Sequence, residues 1–279
     1  MLDLGSGGGK ICFIASQIVG AEGKVIGVDM TDDMLDLART NAPIIAEKVG
    51  YANVEFKRGH IEDLKLDLDK LKEWLAKNPV KDAGDMERME AEILRMKSEM
   101  TMIPDNSVDV IVSNCVLNLV SDSKKKQLFA EMFRVLKVGG RVAVSDIISD
   151  EDSPEELKKD ARLWSGCISG ALTETGFVEL SKMQGFTALR LINLKMILGK
   201  LLKALSTVQP LTLPIKANKG SASRKTKLSS IKGLGAILKM MMVMSSFAVR
   251  DQLFARRHLT FFNKSLMRVC SILLSPAFL

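Results

Sequence analysis

The sequence predicts an α/β fold built on a doubly wound, mostly parallel β-sheet. Two observations lead to this prediction: short apolar segments alternate with segments of helical periodicity, and the first apolar segment ends in a glycine-rich loop. Strands that are covered by helices on both faces are almost continuously apolar, as these segments are. With 279 residues, 47% of them hydrophobic, the chain is long enough to bury such a core.

The predicted elements follow in order from the amino terminus. Strands are expected over residues 1–4, 25–28, 54–57, 108–113, 141–148 and 187–194. The first helix is expected over residues 10–19, where isoleucines recur at helical spacing, and Thr31 is the expected N-cap of the second. A further amphipathic helix precedes the fifth strand, and we expect the Gly139-Gly140 pair to end it.

A long charged segment over about residues 65–102 separates the third and fourth strands. Its methionines and one isoleucine recur every three or four residues, at Met86, Met89, Ile93, Met96 and Met100. This spacing predicts a surface helical insertion whose apolar stripe packs on the body of the domain.

The charge is distributed unevenly along the chain. The net charge is +7, but residues 1–190 hold 25 Lys and Arg against 32 Asp and Glu, whereas residues 191–279 hold 15 against one. We therefore expect an acidic globular domain over residues 1–190 and a basic tail over residues 191–279. The tail is either a basic anchor or a translation outside the original reading frame. Charged residues interrupt the apolar runs of the tail. This pattern favours translation outside the original frame and predicts poor packing from about Lys195 onward.

A glycine-rich loop follows the first strand. A nicotinamide fingerprint would need its third glycine at position 10, which is Lys10, so that pattern fails. The G-x-G-x-G pattern, with an acid two residues before the first glycine, resembles that of the class I S-adenosylmethionine methyltransferases. This resemblance implies cofactor contacts from Asp3, Gly5, Ser6, Gly7 and Gly9.

Acidic and amide residues follow the other strands. Asp29 ends the second strand, where a carboxylate can accept hydrogen bonds from a ribose diol. The resemblance implies adenine contacts from Ile61 and Glu62 after the third strand, and we add Met30 and Asn114 to the expected cofactor site. His60 is interpreted as a surface or loop histidine.

Three of the four cysteines map to the carboxyl edge of the predicted sheet. Cys115 ends the fourth strand, Cys167 lies beyond the fifth, and Cys12 opens the first helix. Each could be a small packing residue, but their shared location favours a thiol site. The wide spacing of the cysteines argues against a disulfide scaffold and favours a reduced, cytoplasmic protein.

Two cysteine motifs resemble those of the arsenite methyltransferases. They are S-N-C-V-L-N-L around Cys115 and L-W-x-x-C-x-x-G-A-L around Cys167, and the resemblance extends over residues 1–190. It implies that Cys115 and Cys167 bind trivalent arsenic as substrate, that Cys12 assists, and that glutathione or thioredoxin supplies thiol reductant. Compared with that family, we expect a chain truncated at its amino terminus. Cys270 has no identified counterpart.

Composition and hydropathy narrow the remaining classes of function. The basic residues of the tail form no nucleic-acid-binding pattern, so no nucleic-acid partner is expected. The longest apolar run, residues 234–249, is too short for a transmembrane span. Two alternatives to arsenite methylation stay open: a methyltransferase that acts on another small molecule, and a non-catalytic remnant with a basic interaction tail.

Overall fold

The structure, a computed structural model, describes residues 1–193 and 267–276. Its sheet has eight strands, seven of them in the order β3-β2-β1-β4-β5-β8-β7, with β6 paired to β5. Strands β1 to β6 pair in parallel, whereas β8 pairs antiparallel with both β5 and β7. The doubly wound, mostly parallel class predicted from the sequence is therefore confirmed.

The elements have the following bounds. The strands are β1 (Leu2–Leu4), β2 (Val25–Asp29), β3 (Val54–Arg58), β4 (Val108–Asn114), β5 (Leu136–Ser149), β6 (Leu172–Thr173), β7 (Phe186–Asn193) and β8 (Met267–Pro276). The α-helices are α1 (Lys10–Val19), α2 (Asp32–Val49), α3 (Leu68–Lys77), α4 (Ala83–Glu99), α5 (Asp122–Val135), α6 (Glu155–Lys158), α7 (Ala161–Ser165) and α8 (Glu174–Met183). A short 3₁₀ turn covers Leu117–Leu119.

Successive strand residues point to opposite faces of the sheet. Both faces are apolar near the centre of the sheet, and helices cover each of them. On one face, Leu4 and Ile111 pack with apolar residues of α5 and α8, including Phe129 and Phe177. On the other face, Val112 packs with residues of α1 and α2. This arrangement buries β1 and β4 at the centre and leaves the carboxyl ends of both strands at one edge.

The glycine pair near residue 140 does not end a helix as the sequence analysis expected. Helix α5 already ends at Val135, and β5 begins at the next residue. The pairing of β4 with β5 then shifts register between Val108 and Val110, so that Gly139 and Gly140 lie in an irregularity of the strand. Gly139 has a φ of 77°, a conformation that suits glycine at a bulge.

The insertion between β3 and β4 forms two helices, α3 and α4. Of the predicted apolar stripe, Met96 is buried, whereas Met86 and Met100 are exposed. Asp67 caps α3 by accepting hydrogen bonds from the Asp69 and Lys70 amides. The insertion lies between strands and contributes none to the sheet.

Two strands lie at or beyond the expected domain boundary at residue 190. Strand β7 crosses that boundary, and β8, from the expected basic tail, lies between β5 and β7 in the sheet. The rest of the expected tail, including Lys195 and the apolar run at 234–249, lies outside the described residues. None of the helices in the described part has the length and hydropathy needed to cross a membrane.

Candidate functional site

The strand order reverses at β1, which pairs with β2 on one side and β4 on the other. In open α/β sheets, ligands bind beyond the carboxyl ends of the strands at such a switch point. The glycine loop after β1 and the cysteine loop after β4 are in direct contact there. A Cβ on Gly5 would lie 2.4 Å from a side-chain methyl of Val116, the residue after Cys115.

The glycine loop has a conformation that only glycine adopts without strain. Gly5, Gly7 and Gly9 all have positive φ angles, of 70°, 51° and 83°. Space around a Cβ of Gly7 is open, because no atom lies within 4 Å of that position. Ser6 is buried and its Oγ has no hydrogen-bond partner among the described residues. The loop therefore offers an open backbone face and an unsatisfied hydroxyl at the predicted cofactor position.

Asp29 lies at the end of β2, as predicted, and also organises the glycine loop. Its Oδ2 accepts a hydrogen bond from the Gly7 amide at 2.8 Å, and its Oδ1 accepts one from the Thr31 amide at 2.9 Å. Thr31 has the N-cap position of α2, although its side chain makes no capping bond. Each carboxylate oxygen can accept a further bond, so these contacts are compatible with ribose binding. Met30 beside it is well exposed.

Asp3 and Cys12 form a buried pair below the glycine loop. The Cys12 thiol donates a hydrogen bond to Oδ2 of Asp3 over 3.3 Å, and both side chains are almost fully buried. Burial raises the pKa of Asp3 to about 7. Burial and the neighbouring Asp3 also raise the pKa of Cys12 well above its usual value. Asp3 thus faces the core, so a cofactor contact from its carboxylate remains a prediction.

The three residues 60–62, in the loop after β3, contact other parts of the protein. Ile61 is buried in the main core cluster. The Glu62 carboxylate accepts a hydrogen bond from Lys124 Nζ at 3.0 Å and lies 3.9 Å from Nδ1 of His60. His60 is half exposed in a loop, consistent with its interpretation as a surface or loop histidine. The Ile61 side chain therefore packs inward, and adenine contacts from Ile61 and Glu62 stay predictions.

Cys115 and Cys167 lie side by side, in two separate loops. The Cys167 thiol donates a hydrogen bond to the carbonyl oxygen of Cys115 at 2.9 Å. Both residues have left-handed backbones, with φ angles of 55° and 57°. Cys167 is buried and Cys115 is half-buried, and neither forms a disulfide. Asn114, at the end of β4, pairs in register with Ser145 of β5.

Burial, Asp146 and Cys115 together raise the pKa of the Cys167 thiol. Cys167 is therefore a protonated thiol at neutral pH. Cys12 belongs to a different apolar cluster from the other two cysteines. Within the described residues, no three His, Cys, Asp or Glu side chains are placed to hold a metal ion. The structure brings together two of the three predicted thiols, and the assisting role of Cys12 stays a prediction.

Two buried polar residues beside these cysteines were missed by the sequence analysis. Asp146 lies near the end of β5 and Asn118 lies in the 3₁₀ turn after Cys115, and both are almost fully buried. They share a hydrogen bond of 2.9 Å from Asn118 Nδ2 to Asp146 Oδ1. Burial raises the pKa of Asp146 to about 7, against several backbone hydrogen bonds that lower it. A carboxylate inside the apolar segment Ala143–Ile148 was the available sequence signal.

Comparisons with known proteins identify the family of this chain. Residues 1–103 and 84–195 match a family model described as a methyltransferase domain. An arsenite methyltransferase of Aquipseudomonas alcaligenes is 38% identical over 192 residues, which are 69% of this chain and 45% of that protein. One from Homo sapiens is 35% identical over 199 residues, covering 71% of this chain and 44% of that protein. The chain therefore spans about half the length of these relatives.

A solved structure of an arsenic methyltransferase is also similar to this chain. An arsenic(III) S-adenosylmethionine methyltransferase from Chlamydomonas reinhardtii is 29% identical, with a TM-score of 0.51. The match covers 74% of this chain and 58% of that one. Together with the curated relatives, it confirms the resemblance that the two cysteine motifs predicted.

Proposed function

The chain belongs to the methyltransferase-domain family, and on that premise we propose that it transfers methyl groups from S-adenosylmethionine to thiolate-bound trivalent arsenic. One observation carries the proposal. The glycine loop contacts Val116, and the adjacent Cys115 lies against the thiol of Cys167. A pair of thiols thus lies next to the predicted cofactor loop.

The described residues fit S-adenosylmethionine. The positive-φ loop at Gly7 is open where a Cβ would stand, so a ligand can approach the backbone closely. The Ser6 hydroxyl lacks a partner, and Asp29 ends β2 with further acceptor capacity. When bound, this cofactor supplies a methyl group on a positively charged sulfur. Asp29 would hold the ribose, and Ile61 and Glu62 remain the proposed adenine contacts.

The two thiols fit trivalent arsenic as substrate. Arsenic in this state is soft, and thiolates are the ligands that soft centres prefer. When a thiol displaces a hydroxyl from arsenous acid, a sulfur–arsenic bond replaces an arsenic–oxygen bond, and the thiol proton leaves with the hydroxyl as water. A protonated Cys167 can therefore bind without releasing a free proton.

The arsenic lone pair is the nucleophile in the proposed transfer. Because that lone pair carries no proton, no side chain has to act as a general base at the site. The chain then contributes by positioning the substrate and excluding water. Methylation formally oxidises the arsenic, so we include a thiol reductant, glutathione or thioredoxin, as co-substrate. A reduced, cytoplasmic setting is part of the same proposal.

Isothermal titration calorimetry of the full chain with S-adenosylmethionine and with arsenite tests this proposal. We expect saturable binding of each, and loss of the arsenite signal in Cys115→Ser with the cofactor signal retained. Absence of cofactor binding would refute a methyltransferase function. Cofactor binding without arsenite binding would refute the arsenic substrate and favour another small molecule.

A further inference from the structure

The cysteine loops have strained backbones that need support from their surroundings. Left-handed φ angles bring Cβ close to the following carbonyl, so residues other than glycine rarely adopt them. Among the non-glycine residues described, only Asn106 shares this feature with Cys115 and Cys167. Asparagine tolerates the conformation better than cysteine does. Such backbones persist only where neighbouring groups determine them.

The Asp146 carboxylate supports the turn that follows Cys115. Its Oδ2 accepts a hydrogen bond from the Leu117 amide at 2.9 Å. Its Oδ1 accepts bonds from the Ile147 amide and from Asn118 Nδ2, each at 2.9 Å. The end of β5 and the turn after Cys115 are therefore held by one carboxylate. Because the carboxylate is buried, these bonds do not compete with water.

Asn118 connects that turn to the loop that carries Cys167. Its Nδ2, which also donates to Asp146, lies 2.7 Å from the carbonyl oxygen of Ile147 and 3.2 Å from that of Cys167, so its two hydrogens are shared among three acceptors. The same loop packs against the Asn118 backbone at Gly170, where a Cβ would lie 2.0 Å from the Asn118 carbonyl oxygen. Lys125 Nζ, also buried, donates to the Gly170 carbonyl at 2.7 Å. The Cys167 loop is thus fastened directly to the Cys115 turn.

We infer that Asn118 and Asp146 are positioning residues that hold the Cys115 and Cys167 loops at the spacing needed for both sulfurs to bind one arsenic. The inference rests on the proposed function for its ligand. The spacing of the two thiols can nevertheless be measured without arsenic. A purely structural role would lower stability but would leave that spacing unchanged.

The first measurement is bridging of the two thiols by dibromobimane, which fluoresces strongly once both of its arms have alkylated sulfur. The Asn118→Ala variant is compared with wild type and with Asn53→Ala. Asn53 is a matched control because its Nδ2 likewise donates to a backbone carbonyl, that of Gly20 at 2.8 Å, outside the cysteine loops. Cys115→Ser serves as the blank for bridging. Asp146→Asn, a variant of nearly the same shape, is tested by arsenite affinity alone, because loss of its charge also changes the reactivity of the neighbouring Cys167 thiol.

The second measurement is arsenite affinity, followed by the fluorescence of Trp164. This indole lies beside the Cys167 loop, with a ring carbon 3.4 Å from the Cβ position of Gly170. The chain has two tryptophans, so a Trp74→Phe background leaves Trp164 alone. Losing one buried hydrogen-bond partner typically corresponds to about a tenfold change in an equilibrium constant.

The inference predicts that Asn118→Ala slows bridging, and that Asn118→Ala and Asp146→Asn each weaken arsenite binding about tenfold. Asn53→Ala should lower the melting temperature without either effect. Bridging and arsenite affinity in Asn118→Ala equal to those of Asn53→Ala would overturn the inference. If the wild-type protein binds no arsenite, the bridging measurement alone tests the positioning role of Asn118. Slower bridging in Asn118→Ala would then uphold the positioning role while the proposed substrate fails.

Discussion

Replacing Cys115 by glycine is expected to give a more stable protein than replacing it by alanine. Both changes remove the thiol, so the comparison isolates the backbone with its φ of 55°. A left-handed residue with a Cβ costs about 1–2 kcal/mol, and glycine loses about 0.5–1 kcal/mol through the greater freedom of its unfolded chain. Cys115→Gly should therefore be about 0.5–1 kcal/mol more stable than Cys115→Ala, or roughly 1–4 °C in melting temperature.

Cys12 supplies the matched control for this comparison. It lies inside α1, where glycine is about 1 kcal/mol less favourable than alanine, so Cys12→Gly should melt below Cys12→Ala. The assay is thermal unfolding by circular dichroism of all four variants at one pH. If Cys115→Gly melted below Cys115→Ala, as at the control position, the left-handed backbone at Cys115 would be wrong, and with it the argument that the cysteine loop is strained.

Three further predictions concern the cofactor site, the thiols and the buried acids. Asp29→Ala should weaken S-adenosylmethionine binding by about 1–3 kcal/mol in calorimetry, because a charge-assisted acceptor is lost; unchanged affinity would remove Asp29 from the site. Cys115→Ser and Cys167→Ser should abolish arsenite methylation because a hydroxyl is a harder ligand, whereas Cys270→Ser should retain it; wild-type methylation by Cys115→Ser would refute the thiol site. Asp3 has a folded-state pKa raised to about 7, so its contribution to stability is fully present below about pH 4 and is lost as the pH rises through 7. Asp3→Asn should therefore flatten the decline in the free energy of unfolding between pH 5 and 8, measured by urea denaturation, and an unchanged slope would contradict the burial of this acid.

The sequence predicted the parallel strands well because their apolar runs and periodicity are local signals. It could not predict the role of Gly139 and Gly140, since a glycine pair after a helix is equally compatible with a helix cap and with a strand irregularity. The register of β5 against β4 decides between them, and register is a tertiary property. The position of β8 between β5 and β7 likewise depends on pairing between residues distant in the chain.

The candidate site was predicted in part. The motifs located Cys115 and Cys167, and the structure brings the two loops together. Cys12 was grouped with them because it follows the glycine loop, but its helical position directs it to Asp3 and the apolar cluster beneath the loop. Asn118 and Asp146 escaped notice because an asparagine in a turn and an acid after a serine are common. Their burial and mutual hydrogen bond become visible only in three dimensions.

We propose that this chain methylates arsenic held by the Cys115 and Cys167 thiols beside the glycine loop. The most direct test is the release of S-adenosylhomocysteine, measured by mass spectrometry, from the full chain supplied with S-adenosylmethionine and glutathione. We expect release that depends on arsenite, is accompanied by methylated arsenic, and is absent in Cys167→Ser. Release at the same rate without arsenite, or equal methylation of arsenic by Cys167→Ser, would contradict it.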